Sequence, residues 1–187
     1  MIRAIVTLLA ACLCAAACSP AAQADPAEPT PASSAPVAPE FVGIERWINS
    51  APLTLRGLRG RVVLVEFWTS SCINCIHVLP HVARWHETYA GHGLVVVGVH
   101  TPEYDSERSA SALQAAVERF GVAYPVAQDN DYRTWHAYGN RFWPALYLID
   151  QDGHIVYRRV GEGGYAETEA RIRQLLSDGP AHPASRE

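Results

Sequence analysis

Beyond residue 20, the 187-residue sequence has no apolar run long enough to cross a bilayer, so we expect no transmembrane helix in that part. Positive charge is not in excess either. The formal net charge is −4, which indicates no nucleic-acid partner. No internal repeat is visible, and an apolar fraction of 49% is typical of a soluble globular protein.

Residues 1–18 differ in composition from the rest of the chain. A short basic start is followed by an almost wholly apolar stretch, which predicts a secretory signal. Cys18 follows three alanines and resembles the lipidated cysteine of a bacterial lipobox. The sequence before Cys12 has a leucine that fits the lipobox pattern better, but a signal that ends there would have a very short apolar core. Cleavage after Ala24 and an uncleaved anchor are the alternatives. In each case we expect an extracytoplasmic domain, lipid-anchored if Cys18 is modified.

The remaining chain divides into three parts by composition. Ala, Pro and Ser dominate residues 19–40, which predicts a flexible linker. Residues 41–179 suffice for one domain with its own core. We expect residues 180–187 to be a disordered tail.

Few cysteines remain once the signal is set aside: of five in the sequence, only Cys72 and Cys75 lie in the domain. A disulfide framework would need more cysteines at wider spacing, and a bridge across so short a loop adds little stability. The apolar run 62–68 predicts a buried strand, and a helix start follows it. Cys72 would then face unpaired helix N–H groups that favour a thiolate, with Cys75 one turn away. The pair indicates a redox site; a structural staple is the alternative.

Hydrophobic periodicity predicts an α/β fold of alternating strands and helices. The first helix contains Pro80, and Ser70 or Ser71 is available to cap it. The order predicts a parallel β-α-β unit, then an antiparallel hairpin and a closing helix, in a mixed central sheet with helices on both faces. We expect strands at 47–48, 62–68, 94–100, 124–127, 145–149 and 155–160, and helices at 72–89, 106–120, 131–138 and 166–176.

Several residues lie at regular spacings around the cysteine pair. Trp68 lies four positions before Cys72, Glu66 six before it and Pro80 eight after it, and Trp143-Pro144 precedes the hairpin. In these features residues 45–178 resemble thioredoxin-fold thiol–disulfide oxidoreductases. The stretches around the cysteines, at 98–103 and at 143–144 most resemble the thioredoxin-like domains of DipZ-type proteins and the TlpA-like extracytoplasmic group.

The chain also departs from thioredoxin itself. Ser71 stands where thioredoxins carry a second tryptophan, and Ile73-Asn74 stands where they carry Gly-Pro. The redox potential of thioredoxin therefore does not carry over to this chain.

The resemblance implies a role for each residue of the pair and for one acid. Cys72 is expected to attack a substrate sulfur, and Cys75 to resolve the mixed disulfide. Glu66 is the charged residue of an otherwise apolar strand, so burial would raise its pKa towards neutrality and suit it to take the proton of Cys75. The alternative is a Glu66 that points to solvent from a sheet edge.

The resemblance also implies a substrate-binding loop. Pro144 is expected to be cis, so that the backbone of Trp143 pairs with a substrate segment; an ordinary trans proline is the alternative. The Trp143 ring either offers substrate a flat apolar face or packs internally. For Trp68 we favour support of the active-site loop over substrate contact.

Four further polar residues are candidates. His100 and Glu103 follow a strand at the sheet edge where sites form, but surface-loop positions are the preferred interpretation. His77 and His81 share a helix face near the cysteines, and we interpret them as surface histidines rather than metal ligands. Ile76, not histidine, follows the second cysteine, which argues against c-type haem attachment.

Together these features predict an extracytoplasmic thiol–disulfide oxidoreductase, preferentially a reductant. Its substrates would be protein disulfides, for example in cytochrome c maturation or disulfide repair, and a DsbD-type protein would be its membrane electron donor. No cofactor is expected. The alternatives are a thiol peroxidase, for which Thr69 lacks an obvious arginine partner, a copper chaperone using the cysteine pair, and a redox-silent interaction domain.

Overall fold

The computed structural model of the protein describes residues 35–178. The predictions for the signal, Cys18, most of the linker and the tail lie outside these residues. The described chain contains two short 3-10 helices, 90–92 and 105–107, in addition to its strands and α-helices. The elements are β1 (Arg46–Ile48), β2 (Val62–Trp68), α1 (Ile73–Tyr89), β3 (Leu94–His100), α2 (Ala110–Arg119), β4 (Val126–Gln128), α3 (Arg133–Ala137), β5 (Ala145–Ile149), β6 (Ile155–Val160) and α4 (Tyr165–Asp178).

The strands form one six-stranded mixed sheet in the order β1-β4-β3-β2-β5-β6. β2 runs parallel to β3, and β3 parallel to β4, whereas β5 is antiparallel to β2 and to β6. Helix α1 provides the crossover between β2 and β3. This is the predicted parallel unit followed by an antiparallel hairpin.

Side chains of β2 alternate between two hydrophobic clusters because successive residues of a strand point to opposite faces. Leu64 and Trp68 pack in the cluster formed with α1, α2 and α4, and Val65 and Phe67 pack in the cluster formed with α3 and the N-terminal segment. The sheet therefore carries helices on both faces, as predicted. The same alternation places Glu66 on the α1 face, towards Cys75.

The start of the domain differs from the prediction, which ran the flexible linker to residue 40. Val37 forms an isolated antiparallel bridge with His154, and Ala38 is buried. The Glu40 carboxylate accepts two backbone hydrogen bonds, at 2.7 and 2.8 Å, from the loop before β2. Residues 37–40 therefore belong to the domain, because the Ala38 side chain is buried in it and the Glu40 carboxylate accepts hydrogen bonds from its backbone.

Two element boundaries also need correction. The predicted helix 106–120 begins only at Ala110, because Ser109 caps it with its hydroxyl, which accepts the Ala112 N–H at 3.1 Å. The first helix is capped by Cys72 rather than by Ser70 or Ser71. No helix among residues 35–178 is both long and apolar enough to span a membrane.

Candidate active site

The two cysteines lie at the N-terminus of α1, where β2 has just ended. Cys72 is the N-cap residue, and its Sγ accepts a hydrogen bond from the Cys75 N–H at 3.3 Å. Both are free thiols, and Cys72 is partly exposed whereas Cys75 is buried. The more exposed sulfur is thus the first of the pair, as predicted, and it lies among the unpaired N–H groups of a helix start.

Cys75 is surrounded by the apolar cluster of the α1 face. Burial raises the pKa of the Cys75 thiol well above its ordinary range, and the contact with Cys72 and the charge of Glu66 raise it further. A thiol in this environment keeps its proton unless a base accepts it. The site therefore combines one accessible sulfur with one sulfur that needs proton transfer before it can react.

Glu66 is a buried carboxyl group on the face of β2 that carries Leu64 and Trp68. Its side chain is fully buried, which rules out the solvent-facing alternative. Burial raises the pKa of Glu66 from 4.5 to about 7, although a hydrogen bond from Tyr124 acts in the opposite direction. The Tyr124 hydroxyl donates to Oε2 at 2.7 Å, and the other oxygen, Oε1, accepts no hydrogen bond from the described residues.

A second buried acid, Glu107, holds the loop between β2 and α1. One carboxylate oxygen accepts the Ser70 hydroxyl at 2.8 Å and the Ser71 N–H at 2.9 Å. The other oxygen accepts the N–H groups of Glu103 and Tyr104 at 2.7 and 3.0 Å. Burial opposes ionisation here, but the hydrogen bonds outweigh it and lower the pKa of Glu107 to about 2.

The Trp143–Pro144 peptide bond is cis, which confirms this sequence prediction. The Pro144 carbonyl accepts the Gly161 N–H at 2.8 Å, and the Trp143 indole N–H donates to the Thr101 carbonyl at 3.1 Å. The Trp143 ring is partly buried against Trp135, with ring centroids 4.3 Å apart. Its observed contacts are therefore internal packing, the second of the two predicted alternatives.

Trp68 and His100 lie side by side at the ends of β2 and β3. Both are fully buried, and their rings meet edge to face with centroids 5.0 Å apart. Trp68 therefore does not reach the surface in this structure, which agrees with the favoured role in supporting the loop and not with the alternative of substrate contact. The surface-loop interpretation of His100 is also wrong, because its strand position points it into the core, where burial lowers its pKa to about 4.

The other candidate residues lie at the surface or near it. Glu103 is exposed, and His77 is exposed with its Nδ1 3.1 Å from Glu162. His81 is partly buried and stacks on Tyr165, with centroids 3.5 Å apart. Among residues 35–178, no group of three or more His, Cys, Asp or Glu side chains is arranged to hold a metal ion.

Sequence reasoning missed two residues of this site, Tyr124 and Glu107. Tyr124 is 58 positions from Glu66, and Glu107 is 36 positions from Ser71. No local pattern marks either of them. A glycine in a buried strand indicates that a neighbouring group approaches the backbone closely. Gly98, which lies opposite Glu66 in the parallel register, was therefore the one sequence signal that a side chain packs near Glu66.

Comparisons with known proteins agree with this geometry. Residues 37–158 match the model of the AhpC/TSA family. Protein DipZ of Mycobacterium tuberculosis is 47% identical over 144 residues, which cover 75% of this chain but 21% of DipZ. The chain thus spans about a fifth of the length of that relative.

Two shorter proteins match over most of their length. The thiol-disulfide oxidoreductase YkuV of Bacillus subtilis is 25% identical over 140 residues, covering 75% of this chain and 94% of YkuV. A crystal structure of a thioredoxin-like superfamily protein is 29% identical, with a TM-score of 0.72, and covers 79% of this chain and 100% of its own. The fold is therefore thioredoxin-like.

Proposed function

The chain belongs to the AhpC/TSA family, and we propose that it is an extracytoplasmic reductant that transfers electrons from its Cys72–Cys75 dithiol to protein disulfides. The family and relatives such as the thiol-disulfide oxidoreductase YkuV support this activity. The direction of electron flow, the compartment and the substrates are proposed in addition.

The proposed reaction begins at Cys72. Its thiolate attacks one sulfur of a substrate disulfide, forms a mixed disulfide and releases the other substrate sulfur as a thiolate. Glu66 then takes the proton of Cys75, and the resulting thiolate attacks Cys72. The second substrate thiolate leaves as the Cys72–Cys75 disulfide forms. Two electrons have passed to the substrate, and an external dithiol must return two electrons to the protein.

The observation that carries this proposal is the unequal placement of the two sulfurs. Cys72 is accessible and accepts a hydrogen bond at a helix N-terminus, whereas Cys75 is buried beside a carboxylate. The Glu66 pKa of about 7 suits a group that must accept and return protons near neutral pH. A structural cysteine pair would require no such base.

Substrate is proposed to pair with the backbone of Trp143. Within residues 35–178, the Trp143 backbone makes no hydrogen bond, although the residues around it are paired. An unpaired N–H and carbonyl beside an ordered loop are what an extended segment needs for strand addition. This loop also packs on the same cluster as Cys72.

A reducing direction is proposed from the Ile73-Asn74 pair and from the predicted compartment. No histidine lies between the thiols, where one would favour a strong oxidant. A separate system keeps the bacterial periplasm oxidising. A second dithiol protein in that compartment is therefore expected to reduce disulfides rather than to form them. Such a protein needs a membrane electron donor, and we propose one of the DsbD type.

The equilibrium redox potential of the Cys72–Cys75 couple against glutathione tests the direction. A value near or below about −250 mV supports a reductant, whereas about −120 mV is the range of a strong oxidant and would reverse the proposal. Steady consumption of peroxide at the expense of the dithiol would instead favour the thiol peroxidase. Stoichiometric copper binding by the reduced protein would favour the chaperone.

Membrane attachment is proposed through Cys18, and the full-length chain tests it. With Cys18→Ser, we expect the protein to lose lipid label and to leave the membrane fraction, whereas Cys12→Ser should retain both. If Cys12→Ser alone abolishes labelling, Cys12 is the modified residue. An unlabelled wild-type protein released into the soluble fraction would indicate simple secretion.

A further inference from the structure

The hydrogen bond between Tyr124 and Glu66 joins two fully buried groups. The Tyr124 hydroxyl donates to Oε2 of Glu66 at 2.7 Å, and neither residue has measurable solvent exposure. Water therefore does not compete for this bond, and a phenol that donates to a buried carboxylate stabilises its charged form. The remaining oxygen, Oε1, is left without a hydrogen bond from any described residue.

Gly98 creates the space for this pair. It lies opposite Glu66 in the register of β2 and β3. A Cβ atom at this position would come within 3.0 Å of Tyr124 Cε2 and of Trp68 Nε1. The absence of a side chain at Gly98 thus lets both rings lie against the strand next to the carboxylate.

The other titratable groups near Glu66 are few. Cys75 faces it from α1, and burial raises the pKa of Tyr124 far above its ordinary value, with the Glu66 charge adding to the effect. His86 of α1 meets the Tyr124 ring edge-on at 5.9 Å. Within the sheet, Leu146 of β5 and Gly98 of β3 lie opposite Glu66. His100 lies two positions after Gly98 in β3, and burial lowers its pKa to about 4. Tyr124 is thus the group bonded to the acid.

We propose that Tyr124 is the positioning residue of Glu66: its hydroxyl fixes one carboxylate oxygen, favours the ionised carboxylate and leaves Oε1 free for the proton of Cys75. This inference rests on the proposed exchange function and adds the group that makes Glu66 an effective base at neutral pH. Without the phenol, a larger fraction of the buried carboxyl would hold its proton at neutral pH, so deprotonation of Cys75 would be slower. Within residues 35–178, Tyr124 makes no hydrogen bond to either cysteine sulfur.

The aryl disulfide DTNB separates the two steps. With excess DTNB, Cys72 attacks one sulfur, forms a mixed disulfide and releases a first nitrothiobenzoate anion. Cys75 loses its proton to Glu66, attacks Cys72 and releases the second anion, at a rate independent of DTNB concentration. The first release reports Cys72, and the pH dependence of the second reports Glu66. In the wild-type protein we expect the second rate to rise through about pH 7.

In Tyr124→Phe, the midpoint of that rise is expected to move up by roughly one to two pH units, because the lost hydrogen bond was made to a charge. The second release then slows by roughly 5- to 50-fold at pH 7 and recovers at alkaline pH, while the first is unchanged. Tyr138→Phe is the matched control, because Tyr138 is a buried tyrosine on the other sheet face whose hydroxyl has no hydrogen-bond partner in the described chain. It should keep the wild-type midpoint.

The outcomes distinguish the two levels of the proposal. An unchanged midpoint in Tyr124→Phe, or a slowing by the same factor at every pH, would overturn the role of Tyr124 and leave the exchange function standing. Absence of the first release from the wild-type protein would overturn the function and the inference together.

A measurement on the wild-type protein serves if Tyr124→Phe does not fold. With ¹³C-labelled Glu and Tyr, we expect the Glu66 carboxyl carbon and the Tyr124 Cζ to shift with one common midpoint near pH 7. Glu66→Gln should abolish both changes. A Tyr124 Cζ chemical shift that stays constant while the Glu66 carboxyl titrates would contradict the inference.

Discussion

The backbone N–H of Ser71 donates a hydrogen bond to Glu107, 36 residues away, at 2.9 Å. This contact ties the loop before Cys72 to the segment that follows β3. Arg119 of α2 adds a second tie, because its guanidinium donates to the Ser70 carbonyl at 3.3 Å. The position of the accessible sulfur therefore depends on partners that are distant in the sequence.

Glu107 is expected to stabilise the fold in a pH-dependent way. Its folded-state pKa of about 2 lies below the ordinary 4.5, so its contribution is present above pH 4.5 and is lost as the pH falls towards 2. In Glu107→Gln this contribution, roughly 3 kcal/mol, should be missing at pH 7 and the acid-induced loss should flatten. Urea unfolding from pH 2 to 7 measures it. Glu118→Gln, at an exposed glutamate of α2, is the control, and equal behaviour of the two variants would contradict the prediction.

Glu66 is expected to have the opposite effect on stability. Its pKa rises from 4.5 to about 7 on folding, so the folded state holds a proton that the unfolded state releases. The contribution of Glu66 to stability should therefore be largest below pH 4.5 and be lost as the pH rises through 7. Glu66→Gln removes this fall, and its stability relative to the wild type should grow by about 3 kcal/mol between pH 4 and pH 8.

Denaturant unfolding at both pH values measures this difference. Glu87→Gln, at an exposed glutamate of α1, serves as the control and should show no such growth. A Glu66→Gln variant whose stability tracks the wild type at every pH would indicate that Glu66 does not bind a proton differently on folding.

Gly98→Ala is expected to strain the site. The new methyl group would lie 3.0 Å from both Tyr124 and Trp68, closer than the packed rings allow. Overpacking of a core costs typically about 1–3 kcal/mol, so unfolding should require less denaturant by that amount. Gly91→Ala is the control, because a Cβ there meets nothing within 4 Å and should change stability by less than about 0.5 kcal/mol. Equal stabilities of the two variants would argue against tight packing at Gly98.

Cys75→Ala is expected to trap substrates covalently. Without the second sulfur, the mixed disulfide at Cys72 cannot be resolved, so partners should accumulate as adducts that dithiothreitol releases. Non-reducing gels of an extracytoplasmic extract measure this. The double variant Cys72→Ala/Cys75→Ala should capture none. A Cys75→Ala protein that captures no partner would contradict protein-disulfide exchange.

Much of the fold was predictable because its signals are local. β2, β3, β5 and β6 were predicted to the residue, since apolar runs bounded by turn residues mark buried strands well. β4 and α3 are short, and their ends differ from the prediction by up to two residues. The start of α2 was missed because the segment before Ser109 forms a 3-10 turn that lacks the helix repeat.

The sequence by itself determined the reactive pair, the charge in the apolar strand and the proline before the hairpin. These are properties of neighbouring residues: a helix that starts after a strand, an alternation of side chains and an X-Pro bond. Only the tertiary structure decided which groups meet them. The contacts of Tyr124 with Glu66, and of Glu107 with Ser71, arise because sheet pairing and helix packing bring together segments that no sequence period connects.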